Sequence, residues 1–104
     1  MRSLLFAGLL SLIAMPALAS DPISIGIDNF VFNPAAITVS AGTTIVWTNR
    51  DDIPHTVTDA AHPPGFRSAA LDTDDSFSFT FMKPGTYRYF CSLHPHMQGT
   101  VVVQ

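Results

Sequence analysis

The sequence predicts an all-β protein folded as an antiparallel β-sandwich, and three observations predict it. Short runs of residues alternate apolar with polar or small side chains at period two, which is typical of half-buried strands. Turn-forming Gly, Pro, Asn and Asp residues separate these runs at short intervals. None of the runs shows the helical period of apolar positions, so about seven short strands and no helix are expected.

The predicted strands follow from local composition. Residues 23–28 alternate Ile with Ser, Gly and Asp, and Asn33-Pro34 ends the apolar run that follows. Lys83-Pro84-Gly85 turns the chain, because Pro fixes φ and Gly permits positive φ. Residues 76–81 place three Phe rings on one face and three hydroxyls on the other. The full set of predicted strands is 23–28 with its continuation through 30–32, then 37–39, 43–49, 55–58, 76–81, 87–91 and 101–103.

The first 19 residues are predicted to be a signal peptide. Arg2 gives a positive start, residues 4–14 are mostly apolar, and Ala17-Leu18-Ala19 fits a small-residue cleavage site. The apolar stretch is shorter than the roughly 20 residues of a membrane-spanning helix. We therefore expect export to the periplasm and a mature protein without a membrane anchor.

Residues 20–104 are predicted to form a single domain, and a monomer is expected. About 85 residues suffice for one hydrophobic core but not for two. Cys91 is the only cysteine, so the chain can form no intramolecular disulfide and has no cysteine after the cleavage site to carry a lipid. A lone thiol in an oxidising compartment suggests that the sulfur is a metal ligand.

The predicted domain is acidic, with Arg50, Arg67, Lys83 and Arg88 against eight Asp residues. Nucleic-acid binding calls for a basic patch, and an anionic membrane surface attracts a basic helical stretch. The sequence has neither feature. We therefore expect neither nucleic acid nor a membrane surface as a partner.

Three potential metal ligands lie close together near the carboxyl end. Cys91, His94 and Met97 follow the spacing C-x-x-H-x-x-M, so one tight loop at a strand end supplies a thiolate, an imidazole and a thioether. With a second imidazole from elsewhere, the set becomes the His₂Cys plus axial Met arrangement of a blue-copper electron-transfer site. Because Cys91 must then point inward, Tyr87 and Tyr89 on the same strand face should line the core.

Each of these residues also has an ordinary structural interpretation. A lone Cys is often a small buried hydrophobe, Met often fills a core, and a His in a Pro-containing turn is often exposed. The combination of three ligands at this spacing favours a metal. Structural zinc is the nearest rival, but zinc fingers take four ligands from Cys and His, and one Cys with a Met does not supply that set.

An upstream His stands in a second distinctive stretch. Pro54-His55 follows Val46-Trp47-Thr48-Asn49-Arg50, and Gly85-Thr86-Tyr87 precedes the ligand loop. Together with the short Cys91–Met97 loop, these stretches resemble the cupredoxins, and among them the amicyanins, over residues 23–103. The resemblance implies a Greek-key β-sandwich and one type 1 copper ion bound by His55, Cys91, His94 and Met97.

The resemblance also implies a function. It implies a small carrier that moves single electrons by Cu(I)/Cu(II) cycling, and not an enzyme, since no position at the metal is left open for substrate. A periplasmic dehydrogenase and a cytochrome c are the redox partners that it implies. His94 would pass the electrons, ringed by apolar Leu93, Pro95, Ile53 and Pro54. The alternative is a copper-binding module for storage, delivery or sensing.

Two residues depart from the amicyanin pattern, and two His residues remain unassigned. Leu93 stands where Pro is usual, and we hypothesise that its N–H bonds the Cys91 sulfur and raises the reduction potential. Thr56 stands where Asn is usual, and its hydroxyl is expected to tie the two ligand loops together less firmly. His62 and His96 are interpreted as surface residues, with a second, labile metal site as the alternative.

Overall fold

Two four-stranded sheets pack face to face in a computed structural model that describes residues 21–104. The predicted signal peptide at residues 1–19 therefore lies outside the described residues. The strands are β1 (Ile23–Asp28), β2 (Val31–Asn33), β3 (Ala36–Val39), β4 (Thr43–Asn49), β5 (Thr58–Asp59), β6 (Ser76–Phe81), β7 (Gly85–Cys91) and β8 (His94–Val103). One sheet has the order β2-β1-β4-β6 and the other the order β3-β8-β7-β5. The predicted all-β sandwich is confirmed, and residues 21–104 contain no helix.

The sheets are mixed, whereas the sequence predicted antiparallel pairing throughout. β1 pairs with β4 in parallel, and β3 pairs with β8 in parallel, while the other neighbours are antiparallel. A parallel neighbour requires a crossover connection. The chain makes that crossover after Asn33, because β3 joins the opposite sheet before β4 returns to lie beside β1.

The core lies between the inner faces of the two sheets. Along β4, buried and half-buried positions alternate, so that Ile45 and Trp47 are fully buried. The same alternation on β7 buries Tyr89 and Cys91, as predicted, and leaves Arg88 exposed and Phe90 half-buried. The buried apolar residues are Ile25, Ile27, Phe32, Val39, Ile45, Trp47, Val57, Phe66, Leu71, Phe81, Tyr89, Cys91, Met97, Val101 and Val103.

Two strand boundaries near the candidate ligands differ from the prediction. Residues 55–58 were expected to form a strand, but His55 makes only an isolated bridge to Leu71, and β5 is confined to Thr58–Asp59. The prediction failed because this segment pairs with an irregular loop that has no strand pattern of its own. The last strand begins earlier than predicted, at His94, so the candidate ligands His94 and Met97 belong to β8 itself.

Candidate metal centre

Three of the four predicted ligands meet at one end of the sandwich. His55 comes from the segment after β4, Cys91 ends β7, and His94 begins β8. The Cys91 sulfur lies 3.6 Å from Nδ1 of His55 and 3.7 Å from Nδ1 of His94. One ligand atom from each of these residues lies within 4.8 Å of the other two. Residues 36 positions apart in the chain are thus brought together by the two sheets.

The alternation of β8 places the fourth predicted ligand on the buried face, because Met97 stands at period two with buried Gly99, Val101 and Val103. Phe90 pairs with Gln98, but the next residue, Cys91, pairs with His94, so the residues between them form a bulge. A bulge re-aims side chains relative to a regular ladder. The register shift brings His94 opposite Cys91. Met97 is 4% exposed and joins the buried cluster that contains Cys91, while Pro95 and His96 lie at the surface.

The separation of the three donor atoms fits a single small metal ion. A metal ion with bonds of roughly 2.0 Å to nitrogen and 2.3 Å to sulfur, at an angle of about 120°, holds the sulfur and nitrogen atoms about 3.7 Å apart. The observed sulfur–nitrogen separations of 3.6 and 3.7 Å agree with this trigonal spacing. One thiolate, two imidazoles and a thioether suit copper, because soft sulfur donors and imidazole together accommodate both of its oxidation states.

The site is closed on most sides. His55 and Cys91 are fully buried, Met97 is nearly so, and only His94 is half-buried. The Cys91 sulfur accepts a hydrogen bond from the backbone N–H of Thr56, at 3.3 Å. Such a bond stabilises the thiolate, which is the form that binds metal.

Backbone pairing and a carboxylate hold His55 in its orientation. Its N–H donates to the Leu71 carbonyl, and its carbonyl accepts from the Leu71 N–H. On the ring, Nε2 lies 2.7 Å from Oδ2 of Asp51. When Nε2 carries the proton and donates to this carboxylate, Nδ1, which lies 3.6 Å from the Cys91 sulfur, keeps a free lone pair. The carboxylate thus selects the tautomer that can bind metal through Nδ1.

Asn49 shapes the segment that leads to His55. Its fully buried amide donates to the carbonyls of Ile53 and Leu71, at 2.8 Å each, and its oxygen accepts from the N–H of Asp51. The side chain therefore fixes residues 50–54 from the end of β4. The Leu71 carbonyl also accepts from the His55 N–H. The Asn49 side chain therefore fixes both the segment before His55 and the residue that pairs with it.

The pKa of Asp51 is lowered to about 2. Burial by itself raises this pKa, but hydrogen bonds from the Phe30 N–H, the His55 ring and the Asn29 N–H together outweigh it. All of these donors favour the ionised carboxylate. Asp51 is therefore a charged acceptor beside His55 throughout the neutral pH range.

Thr56 ties the two ligand segments together through several bonds. Its hydroxyl oxygen accepts from the Ser92 N–H at 2.7 Å, and it also lies 2.8 Å from the Ser92 hydroxyl and 3.1 Å from the Thr58 hydroxyl. The Thr56 hydroxyl therefore connects the two ligand segments, and a connection weaker than that of Asn stays a prediction.

The hypothesis that the Leu93 N–H bonds the Cys91 sulfur is wrong. Within residues 21–104, the backbone hydrogen bond to this sulfur comes from Thr56 and none comes from Leu93. The N–H of Ser92, the residue between Cys91 and Leu93, donates to the Thr56 hydroxyl. The Leu93 side chain is instead 50% exposed at the surface.

Replacing Thr56 with Val is expected to lower the free energy of unfolding by about 1–2 kcal/mol, because the Ser92 N–H loses its acceptor in a partly buried position. Urea unfolding of the metal-free protein measures this change. Thr44→Val is the matched control, since Thr44 shares only an exposed hydroxyl pair with Thr80 on the neighbouring strand. Equal losses for the two variants would show that the link between the ligand segments contributes nothing.

Sequence reasoning missed several residues that shape the site. Asp51, Asn49 and Phe30 all lie against ligand residues or fix the segment that carries them. The available signal was the position of Asn49 in the distinctive stretch at residues 46–50, whereas nothing in the sequence indicated Asp51 or Phe30. His62 and His96 are exposed, and the one cluster of potential metal ligands among residues 21–104 includes neither of them.

Comparison with known proteins identifies relatives over most of the chain. The family model for the cupredoxin-like domain matches residues 2–103. Amicyanin of Paracoccus versutus is 32% identical over 95 residues, which cover 88% of this chain and 72% of that protein. Plastocyanin of Scenedesmus fuscus is 35% identical over 95 residues, which cover 79% of this chain and 97% of that protein.

Solved structures give the same result for the fold. A purple cupredoxin from Nitrosopumilus maritimus superposes with a TM-score of 0.74 at 32% identity, over 79% of this chain and 99% of that one. An amicyanin mutant in its reduced state superposes with a TM-score of 0.76 at 32% identity, over 84% and 86% of the two chains. The family match, these relatives and the His55–Cys91–His94 cluster agree, and the chain belongs to the cupredoxin family.

Proposed function

We propose that this protein carries single electrons between redox partners, with one copper ion bound by His55, Cys91, His94 and Met97. The observation that carries the proposal is the trigonal spacing of one sulfur and two imidazole nitrogens in a buried site. Copper supplies a one-electron Cu(I)/Cu(II) couple when bound. As a cupredoxin of this kind, the protein is an electron carrier and not an enzyme.

A rigid site suits this role, because an electron moves fastest when the ligands do not rearrange. Backbone bonds to Leu71 and the Asp51 carboxylate fix His55, and the Thr56–Ser92 bond fixes the segment after Cys91. The fold of the protein, and not the oxidation state of the metal, thus sets the positions of the donor atoms. Contacts of this kind, made to the ligands by the groups around them, tune metal sites generally.

We propose His94 as the residue through which electrons leave. It is the one half-buried member of the ligand set, and exposed Leu93, Pro95 and Pro54 lie in the segments beside it, with half-buried Ile53. A small apolar surface around a ligand brings a partner close and excludes water. The partners are proposed to be periplasmic redox proteins, among which a dehydrogenase and a cytochrome c remain the expectation.

The burial of the ligands argues against copper delivery as the main role. Passing a metal ion to an acceptor requires the incoming ligands to reach it while the old ones leave. Cys91 and His55 are fully buried and Met97 is 4% exposed, so such an exchange would require the site to open.

The proposed periplasmic location depends on residues 1–19 acting as a signal peptide. Among residues 21–104, no helix has the length and apolar character needed to cross a membrane.

The visible and EPR spectra of the Cu(II) protein test the proposal. A Cys91 thiolate bound to Cu(II) is expected to give an intense charge-transfer band, and Cys91→Ser is expected to abolish it because the oxygen is a far weaker electron donor. Reversible voltammetry together with slow loss of copper to a chelator would support the carrier role. A colourless Cu(II) protein, or a band that survives in Cys91→Ser, would refute the ligand assignment.

A further inference from the structure

The turn between β1 and β2 has a backbone conformation that its sequence does not favour. Asp28 pairs with Val31, so Asn29 and Phe30 form a two-residue hairpin loop, and their φ angles are 54° and 61°. Positive φ at both positions is the mark of a type I′ turn, for which Asn-Gly is the preferred sequence. Asn tolerates this conformation, but a bulky Phe is an outlier there. Residues in such strained positions are often part of a functional site.

One carboxylate connects this turn to a proposed ligand. Oδ1 of Asp51 accepts from the Asn29 N–H at 2.6 Å, and Oδ2 accepts from the Phe30 N–H at 3.0 Å. The same Oδ2 is the atom that lies 2.7 Å from Nε2 of His55. The turn is therefore held by the group that orients His55, and the strain at Phe30 is sustained by charge-assisted hydrogen bonds.

The strained turn places the Phe30 ring across both imidazoles. Its centroid lies 5.4 Å from that of His55 with an interplanar angle of 83°, and 5.1 Å from that of His94 with an angle of 88°. The two imidazoles are themselves 5.1 Å apart, so three rings form one edge-to-face cluster. Phe30 is 48% exposed. Because its ring contacts both imidazoles and also faces water, it covers them on the solvent side.

Packing alone does not account for Phe at this position. About half of the ring faces water, where it gains little from burial. Gly or Asn would relieve the backbone strain without losing any of the hydrogen bonds that Asp51 accepts from the turn. The position therefore trades local backbone stability for an aromatic ring at the edge of the site.

We propose that Phe30 is a positioning residue that restrains the rotation of the His94 ring and keeps water from the metal at the exposed edge of the site. This inference rests on the proposed function, since it takes His55 and His94 as copper ligands. Asp51 supports the cover by holding its backbone, and the half-buried His94 is the ligand that gains most from it. Loss of the ring would leave the imidazole free to turn outward.

Four variants separate the ring from the turn. Phe30→Gly removes the ring and relieves the backbone strain. Phe30→Ala also removes the ring but retains the backbone strain. Phe30→Tyr restores an aromatic ring, and Val31→Ser is a control at a neighbouring position that is 53% exposed. Copper loss from the loaded protein to a chelator is measured for each, together with the NMR signals of the His94 ring in the diamagnetic Cu(I) form. Thermal unfolding is recorded in parallel.

We expect both ring-deleted variants to lose copper roughly tenfold faster than the wild type, in line with the effect of residues that orient metal ligands. Their His94 ring signals should broaden, while Phe30→Tyr and Val31→Ser match the wild type. Phe30→Gly should unfold at or above the temperature of Phe30→Ala, so that copper loss does not follow stability. Wild-type copper loss and sharp His94 signals in both ring-deleted variants would overturn the inference and leave the proposed function intact. Failure of the wild type itself to bind copper through Cys91 would refute the proposed function instead.

Discussion

Replacing Asp51 with Ala is expected to weaken copper binding by roughly 10- to 100-fold, the range found when a carboxylate that orients a metal-binding His is removed. The carboxylate lies 2.7 Å from Nε2 of His55 and also holds the turn that carries Phe30. Its loss leaves a fully buried imidazole without its acceptor and frees the tautomer of the ring. Competition with a chelator of known affinity measures the change.

Asp52→Ala is the matched control for this variant, because Asp52 is the exposed neighbour in the same segment. Equal copper affinity in the two variants would contradict the assigned role of Asp51.

The stability of the metal-free protein is expected to depend on Asp51 in acid. The pKa of Asp51 is lowered from 3.8 to about 2 in the folded protein, so its stabilising effect is complete above about pH 4 and is lost as the pH falls toward 2. Thermal unfolding of the metal-free Asp51→Ala protein should therefore depend less on pH in this window than that of the wild type.

Replacing Gly99 with Ala is expected to lower the free energy of unfolding by about 3 kcal/mol, the upper part of the usual range for overpacking a core. Gly99 lies opposite Tyr89 in the β7–β8 ladder, and the Tyr89 ring lies over it. A Cβ at this position would overlap the ring, coming within 2.7 Å of Cε1 and closer still to Cζ and the hydroxyl oxygen.

Other aromatic rings pack against the buried Tyr89 ring and oppose its displacement. It is 1% exposed and is packed edge-on against Phe32 and Trp47, with centroids 4.7 and 5.4 Å away. Gly26→Ala is the control, since an added Cβ there meets only the Asn33 carbonyl oxygen at 3.9 Å. Urea unfolding midpoints that shift equally for the two variants would show that the ring yields at little cost.

Local sequence patterns predicted much of the fold, and the spacing of the loop predicted much of the site. Alternation at period two identified β1, β4 and β6 within a residue of their ends, because one face of each strand is buried. The C-x-x-H-x-x-M loop identified Cys91 and His94, which the structure brings together with His55. These features are determined by residues that lie close together in the chain, so they can be predicted from a single sequence.

The features that were missed depend on distant parts of the chain. The parallel pairing of β1 with β4 is set by a crossover through the other sheet, which leaves no local mark. The hydrogen bond to the Cys91 sulfur comes from Thr56, and no spacing indicates which N–H the fold will place there. The sequence predicted that Phe30 continues strand 23–28, because Asn29-Phe30 does not resemble the usual sequence of a type I′ turn.

The position of β8 determines how the site can open. This strand begins with His94, contains Met97 and continues to Val103, and it lies in the interior of its sheet between β3 and β7. Interior strands exchange their amide hydrogens mainly when a large cooperative unit unfolds, whereas edge strands fray. The slowest-exchanging amides should therefore include those of residues 99–103, and release of the metal by separation of β8 would require its pairings with both β3 and β7 to break.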